Sequence, residues 1–276
     1  SVEDRPGLTG RFQGAEVVFH LAGRVTRDRG DDASLFALHE GGTRAVLDAA
    51  RDAGVRRVVY ASSSSTLGCT NDPAQSPHED APVTHPLLDA WPYYCSKNAA
   101  EVVALEAGRA GEVEVICLNP SLLLGPGDHD VSSTNDVRDF LDRKVPCVPH
   151  GGFNYVDVRD VADAFVKAVD HGEPGQRHLL GGENTTVGEF FQALEGLSGV
   201  RAPSMKPAAW LQSGSVRLAE VGLGLVGRRP RVTSLTVEMA QVYWYAAGER
   251  ANRVLDFTPR PGLDTLRDTV DDIRGG

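Results

Sequence analysis

A tyrosine and a lysine four residues apart, Tyr93 and Lys97 within Trp91-Pro92-Tyr93-Tyr94-Cys95-Ser96-Lys97, form the pair in this chain best suited to moving a proton. On a helix, residues i and i+4 share a face, one turn apart. Pro92 suits a first helical turn, where its missing N–H costs nothing, and Asn98 to Glu101 carry the helix on. A free phenol titrates near ~10 and exchanges protons poorly at neutral pH. A nearby ammonium favours the phenolate and draws that pKa down. The chain holds six tyrosines and only four lysines (97, 144, 167 and 206), so a chance pairing is expected well under once. The competing reading is a part-buried aromatic followed by a surface lysine.

Such a pair needs a frame. The run 15–23 reads as a buried strand closed by small residues, and 55–61 as the next, followed at once by Ser62 to Ser65. Continuous apolar strands bounded by turn signals suit a parallel sheet covered on both faces. Between them, 31–53 is helical, and Gly41-Gly42 inside it implies close packing or a cofactor nearby. A long loop, 67–88, precedes the Tyr93 helix, which runs to about Arg109. A third strand, 113–118, ends in Asn119-Pro120. A helix over 135–143, a strand and helix within 155–171, and a strand at 178–181 follow. Thr186-x-x-Glu189 predicts a capping box opening a helix over 186–198, and 204–226 and 233–247 also read as helical. Alternating strands and helices predict an α/β fold, a Rossmann-like doubly wound parallel sheet with a small, mostly helical C-terminal lobe. The expected division is 1–185 for the sheet domain and 186–276 for the lobe, with 125–155 contributing to the latter. Ligands of such sheets bind beyond the carboxyl ends of the strands, where His20 to Gly23, Ser62 to Ser65 and Asn119-Pro120 all fall.

The 276 residues are 41% hydrophobic and 24% charged, an ordinary globular balance. A net charge of −10 argues against a nucleic-acid or anionic-membrane surface. Cys69, Cys95, Cys117 and Cys147 match no metal-binding or C-x-x-C spacing, and no metal is expected. Reduced thiols, no long apolar run and no visible signal peptide suggest a cytoplasmic protein without a membrane span.

Five segments occur in a recognisable order: VVFHLAG (17–23), VVYASSSSTLG (58–68), PYYCSK (92–97), NPSLLLGPGD (119–128) and YVDVRDVADAF (155–165). This arrangement resembles the extended short-chain dehydrogenase/reductases, and within them the dihydroflavonol-reductase and 3β-hydroxysteroid-dehydrogenase branches. The resemblance covers almost the whole chain. It implies an NAD- or NADP-dependent oxidoreductase that interconverts a hydroxyl and a carbonyl on a small, partly hydrophobic substrate. Ser63, with Ser64 or Ser65 as alternatives in the same run, would hydrogen-bond the substrate oxygen, Tyr93 would exchange its proton, and Lys97 would tune the tyrosine and hold the nicotinamide ribose. Leu21, Ala22, Gly23 and Ser62 would lie along the cofactor, as would Pro120, Ser121 and Leu122 near the nicotinamide. Ser64, Ser65 and Asn119 would face the substrate. Family members often dimerise through the two helices corresponding to 32–53 and 92–109. Rival readings are a nucleotide-sugar epimerase or dehydratase with tightly held NAD, and a shortened, non-catalytic relative.

The chain departs from the family pattern in three ways. The first strand resembles the family's fourth, so the Gly-x-x-Gly-x-x-Gly turn and roughly sixty residues of βαβ chain are expected to be missing. His39 stands where an asparagine is usual, and Asp157 where histidine is common. Other motifs read as coincidence. Gly222 to Gly227 spells G-x-G-x-x-G but follows a helical stretch and runs into Arg228-Arg229-Pro230, so a packing loop is expected. Arg29-Gly30-Asp31, the sequon Asn184-Thr185-Thr186 and Asp128-His129-Asp130 are expected to be loop residues. His78 and His85 belong to the long loop near the active site. Trp210, Leu211, Leu218, Leu223, Leu225 and Trp244 give the lobe its apolar content.

Overall fold

The computed structural model describes residues 1–25, 32–129, 133–207 and 233–275. Expectations for Arg29-Gly30-Asp31, Asp130, the helix beyond 207, the Gly222–Gly227 loop, and Trp210, Leu211, Leu218, Leu223 and Leu225 lie outside these residues.

Four parallel strands make the main sheet: β1 (Val17–His20), β2 (Arg57–Ala61), β3 (Glu114–Pro120) and, after two strands of a second sheet, β6 (Arg177–Leu180), in the order β1-β2-β3-β6. Side chains alternate across a strand, so each strand feeds two layers. Val59, Ile116 and Leu118 pack on one face against Phe165 and Ala168 of α7 (Val158–His171). Val58, Tyr60, Val115 and Cys117 pack on the other, against Leu47 and Ala50 of α3 (Gly42–Asp52) and Ala100 and Ala104 of α5 (Pro92–Ala110). Each fully buried valine, leucine or isoleucine contributes roughly 1.5–3 kcal/mol. This alternation directs Tyr60 and, two residues past Cys117, Asn119 at helix α5.

The segment expected as one helix over 31–53 has three parts: α2 (Asp32–Phe36), a π-helical turn (Ala37–Gly41) and α3. Gly42 packs closely, as expected. A Cβ there would stand 2.9 Å from the side chain of Val2, beside α1 (Arg5–Phe12).

The second sheet joins β4 (Leu122–Leu124), β5 (Gly152–Asp157) and β7 (Glu183–Thr186), with β8 (Tyr243–Trp244) also on β5. Its helices are α6 (Asn135–Leu141), α8 (Val187–Ser198) and α11 (Gly262–Gly275). One cluster holds Leu124, Phe140, Tyr155, Phe190 and Leu266 together, so residues from 122–155 and from beyond 186 share a core. Thr186 caps α8 with the full reciprocal box to Glu189. The expectation of helix over 233–247 needs correction. Helix α9 stops at Met239 (Ser234–Met239), and Tyr243-Trp244 turn into a strand on the backbone of Gly152 and Phe153. The free edge of β5 outweighs local helical pattern there. Helices α4 (Pro86–Asp89) and α10 (Arg250–Leu255) complete the described elements. Among the described residues no helix is long and apolar enough to cross a membrane, and no cluster of side chains could hold a metal ion.

Candidate active site

Three chain segments meet at the carboxyl ends of β1, β2 and β3. Helix α5 opens with Pro92 in its first turn and presents Tyr93, Lys97 and Glu101 on one face, each buried. The serine run lies opposite. Ser63 caps a short 3-10 turn, Ser64–Leu67, its Oγ accepting from the Ser65 N–H at 3.2 Å. That turn closes at Gly68, whose φ of 105° is left-handed. A Cβ at Gly68 would stand 1.7 Å from the Val83 carbonyl oxygen, so no other residue fits.

The four serines separate by environment. Ser62 is buried, and its hydroxyl is bonded to Glu101. Ser65 is buried and lies 2.9 Å from Ser63 Oγ. Ser63 and Ser64 are half-buried, and the Ser63 hydroxyl is the one that acts on the Tyr93 phenol. Burial pushes the Tyr93 phenol above its ordinary pKa, and the neighbouring Ser63 hydroxyl pulls it partway back. The phenol is therefore fully protonated at neutral pH.

Lys97 is 5% exposed. Its ammonium donates to Ala61 O at 2.7 Å and to Tyr60 Oη at 3.0 Å, with the Tyr60 ring centroid 4.7 Å away. Burial lowers its pKa to about 8, while Glu101 and Cys117 act to raise it. The sequence expectation that this ammonium draws the Tyr93 phenol down differs from the arrangement found: the amine is turned to Tyr60 and Ala61, and burial dominates at Tyr93.

Sequence reasoning missed Glu101 as a site residue. It is completely buried. Its Oε2 accepts from Ser62 Oγ, from Thr66 Oγ1 at 2.8 Å and from Asn119 Nδ2 at 2.5 Å. Its Oε1 accepts from Arg177 Nε at 2.6 Å. A buried carboxylate survives only when paired and bonded in this way. Glu101 thereby fastens β3 and the serine turn to the helix bearing Tyr93 and Lys97. The signal was available, since Tyr93, Lys97 and Glu101 are spaced four and four. Asn119 also donates to Ser63 O at 3.2 Å, so its amide braces the serine turn.

Of the expected cofactor positions, those after β1 are open and those after β3 are more covered, while Ser62, Tyr93 and Lys97 are buried. Leu21 is 62% exposed, Gly23 is exposed and Ala22 half-buried at the end of β1. Pro120 and Leu122 are half-buried after β3, and Ser121 is buried. Ser121 Oγ and Asn119 Oδ1 are buried without a hydrogen-bond partner among the described residues. Orphaned polar atoms at a strand end fit a ligand that brings donors, as a nicotinamide carboxamide does. Beside Tyr93 stands an apolar wall. Trp91 lies 4.9 Å from the Tyr93 ring and 5.6 Å from Trp244, centroid to centroid, with Met239 and Tyr94 packed on the same cluster. His85 caps α4 and bonds Asn71, whereas His78 pairs with Ala81 in the loop. Asp157, where histidine was usual, caps α7 and pairs with Arg159 at 2.7 Å.

Comparison with known proteins gives the chain a family and a shared fold. The model of the NAD dependent epimerase/dehydratase family matches residues 3–181. A protein named "Putative dihydroflavonol 4-reductase" from Synechocystis sp. is 31% identical over 94% of this chain and 76% of its own length. Sterol demethylase protein B of Methylococcus capsulatus is 33% identical over 79% of this chain and 66% of its own. The crystal structure of gox2253 superposes with a TM-score of 0.84 at 28% identity, covering 100% of this chain and 83% of that one. The structure of RMD from Pseudomonas aeruginosa complexed with NADPH, at 20% identity and a TM-score of 0.72, shares the fold across 100% of this chain and 87% of its own.

Proposed function

The chain belongs to the NAD dependent epimerase/dehydratase family, and from that premise we propose that it is an NAD(P)-dependent oxidoreductase interconverting a hydroxyl and a carbonyl. Ser63, Tyr93 and Lys97 carry the chemistry. The observation that supports this most is the buried, protonated Tyr93 phenol influenced by the Ser63 hydroxyl, with the buried Lys97 one turn further along the same helix. In the reducing direction the substrate oxygen sits between Ser63 Oγ and Tyr93 Oη and accepts from both. Tyr93 gives its proton to that oxygen as the C=O π bond breaks, and regains one from water. Ser63 steadies the charge developing on the oxygen. The Lys97 ammonium, held by Tyr60 Oη and Ala61 O, would hold the nicotinamide ribose beside Tyr93. NAD(P)H, when bound, supplies the hydride that reaches the carbonyl carbon. Oxidation reverses each step. Leu21, Ala22 and Gly23 would hold the phosphate side of the dinucleotide, and Pro120, Ser121 and Leu122 the nicotinamide side.

Trp91, Trp244 and Met239 beside Tyr93 favour a substrate with an apolar body over a bare sugar. Residues 32–53 and 92–109 form the proposed homodimer face, where Val102 is 42% exposed. Sedimentation of Val102→Glu, monomeric where wild type is dimeric, tests that face. The function is tested by titrating NADH and NADPH against tryptophan fluorescence, then offering benzaldehyde, cyclohexanone and UDP-glucose. Net oxidation of the nicotinamide with an apolar carbonyl supports the reading. Turnover of UDP-glucose alone, with no free NADH released, replaces it with the epimerase reading. No nucleotide binding at all favours a non-catalytic relative.

A further inference from the structure

His39 takes no part in the reaction above, yet it is buried between two of its components, with 2% of its surface exposed. It lies within the π-helical turn Ala37–Gly41, a wider turn of the kind that recurs at functional sites. Both ring nitrogens are engaged. Nε2 accepts from the backbone N–H of Arg24 at 3.1 Å, and Nδ1 lies 2.8 Å from Ser96 Oγ. A ring nitrogen that accepts an amide proton carries none itself, so the neutral imidazole holds its proton on Nδ1 and donates it to Ser96. Ser96 Oγ in turn donates to Tyr93 O at 3.0 Å. The His39 ring also stands perpendicular to the Tyr93 ring, at 86° and 5.7 Å between centroids. At the other end, a Cβ on Gly23 would stand only 3.4 Å from His39 Nε2, so the loop after β1 lies directly on the imidazole.

We infer that His39 is a positioning residue that fastens the loop after β1, at Gly23-Arg24, to the first turn of α5, so that one ring sets both the cofactor rim and the Tyr93 phenol. The inference rests on the cofactor reading above. An asparagine is too short to reach both ends. Its amide coincides with imidazole Nδ1, whereas a glutamine amide coincides with Nε2. Burial, with Lys97 and Arg24 adding to it, holds the imidazole pKa down at about 4, so the ring stays neutral and both bonds persist through neutral pH.

The test compares His39→Gln, His39→Asn and His39→Leu with wild type in the full natural chain. Dissociation constants for NADH and NADPH come from tryptophan quenching, melting temperatures from circular dichroism, and the wild-type tautomer from ring 15N NMR. His39→Gln keeps the acceptor for Arg24 and should bind within about twofold of wild type, while His39→Asn and His39→Leu weaken binding by about fivefold or more, the usual worth of one such bond. His39→Gln and His39→Asn should melt alike, so that a loss seen only in asparagine is not general destabilisation. The NMR spectrum should place the proton on Nδ1. Equal binding in all variants, equal loss in Gln and Asn, or a proton on Nε2 overturns the inference. Should wild type bind neither nucleotide, the cofactor reading fails instead, and the tautomer and the comparison of melting temperatures still decide the placement of His39.

Discussion

Replacing Glu101 with glutamine keeps its shape and removes its charge, which isolates what the carboxylate does. Its Oε2 receives three donors and its Oε1 receives the Arg177 guanidinium. A glutamine amide offers one acceptor and one NH2. Placed towards Asn119, the NH2 faces the Asn119 donor; flipped, it faces Arg177. Either way one donor meets another inside a fully buried site, and Arg177 loses its counter-charge. Breaking a buried pair by removing one partner costs roughly 3–5 kcal/mol. At about 2 °C per kcal/mol for a chain of this size, the melting temperature should fall by roughly 6–10 °C. The same change frees Ser62, Thr66 and Asn119, so the turn bearing Ser63 loses its anchor to α5. Turnover measured well below the new melting temperature should fall by at least about tenfold, since misplacement of this order is costly in a preorganised site. Thermal unfolding followed by circular dichroism and a steady-state assay check both numbers. A melting temperature within a degree or two of wild type would refute the claim that Glu101 is the hub of the site.

Two further predictions concern pH. His20 and His39 titrate at about 4 in the folded protein against 6.5 when exposed, both chiefly through burial. Below pH 6.5 the unfolded chain takes up protons that the folded chain refuses, so stability is full above 6.5, falls between 6.5 and 4, and levels off beneath. Each ring contributes roughly 2–4 kcal/mol to that fall, and urea midpoints should drop less steeply in His20→Gln than in wild type; identical slopes would contradict the assignment. Lys97, lowered to about 8, should lose its charge above that pH and give kcat/KM an alkaline limb. In Lys97→Arg the limb should vanish while activity is lower, because a guanidinium does not deprotonate in this range.

Much of this arrangement was legible in the sequence. Tyr93, Lys97 and the serine run announced themselves by residue type and spacing, and apolar runs between turn signals marked the strands that carry them. What escaped was set by contacts between distant segments. Glu101 shares a helix face with Tyr93 and Lys97 by spacing, but its role shows only once Asn119, Arg177 and the serine turn converge on it. Tyr60 and Asn119 reach α5 because strand alternation sends them there, and that register is fixed only by pairing with neighbouring strands. His39 was noticed as a departure, but its two bonds depend on a π-helical turn that no local pattern signals. Tyr243-Trp244 leave the helical reading because β5 offers an unpaired edge.

The central claim is that Tyr93 is the proton donor of an NAD(P)-dependent carbonyl reduction. The most direct test is Tyr93→Phe, with nucleotide binding and turnover measured on the same preparation. Tyr93 is buried, and its hydroxyl has only the Ser63 hydroxyl acting on it, so the variant should fold, lose no more than about 1 kcal/mol of stability and bind NADH or NADPH as wild type does. Its kcat should fall by about 10²–10⁴-fold, the worth of a positioned general acid. A variant that binds nucleotide and keeps most of its activity would contradict the account.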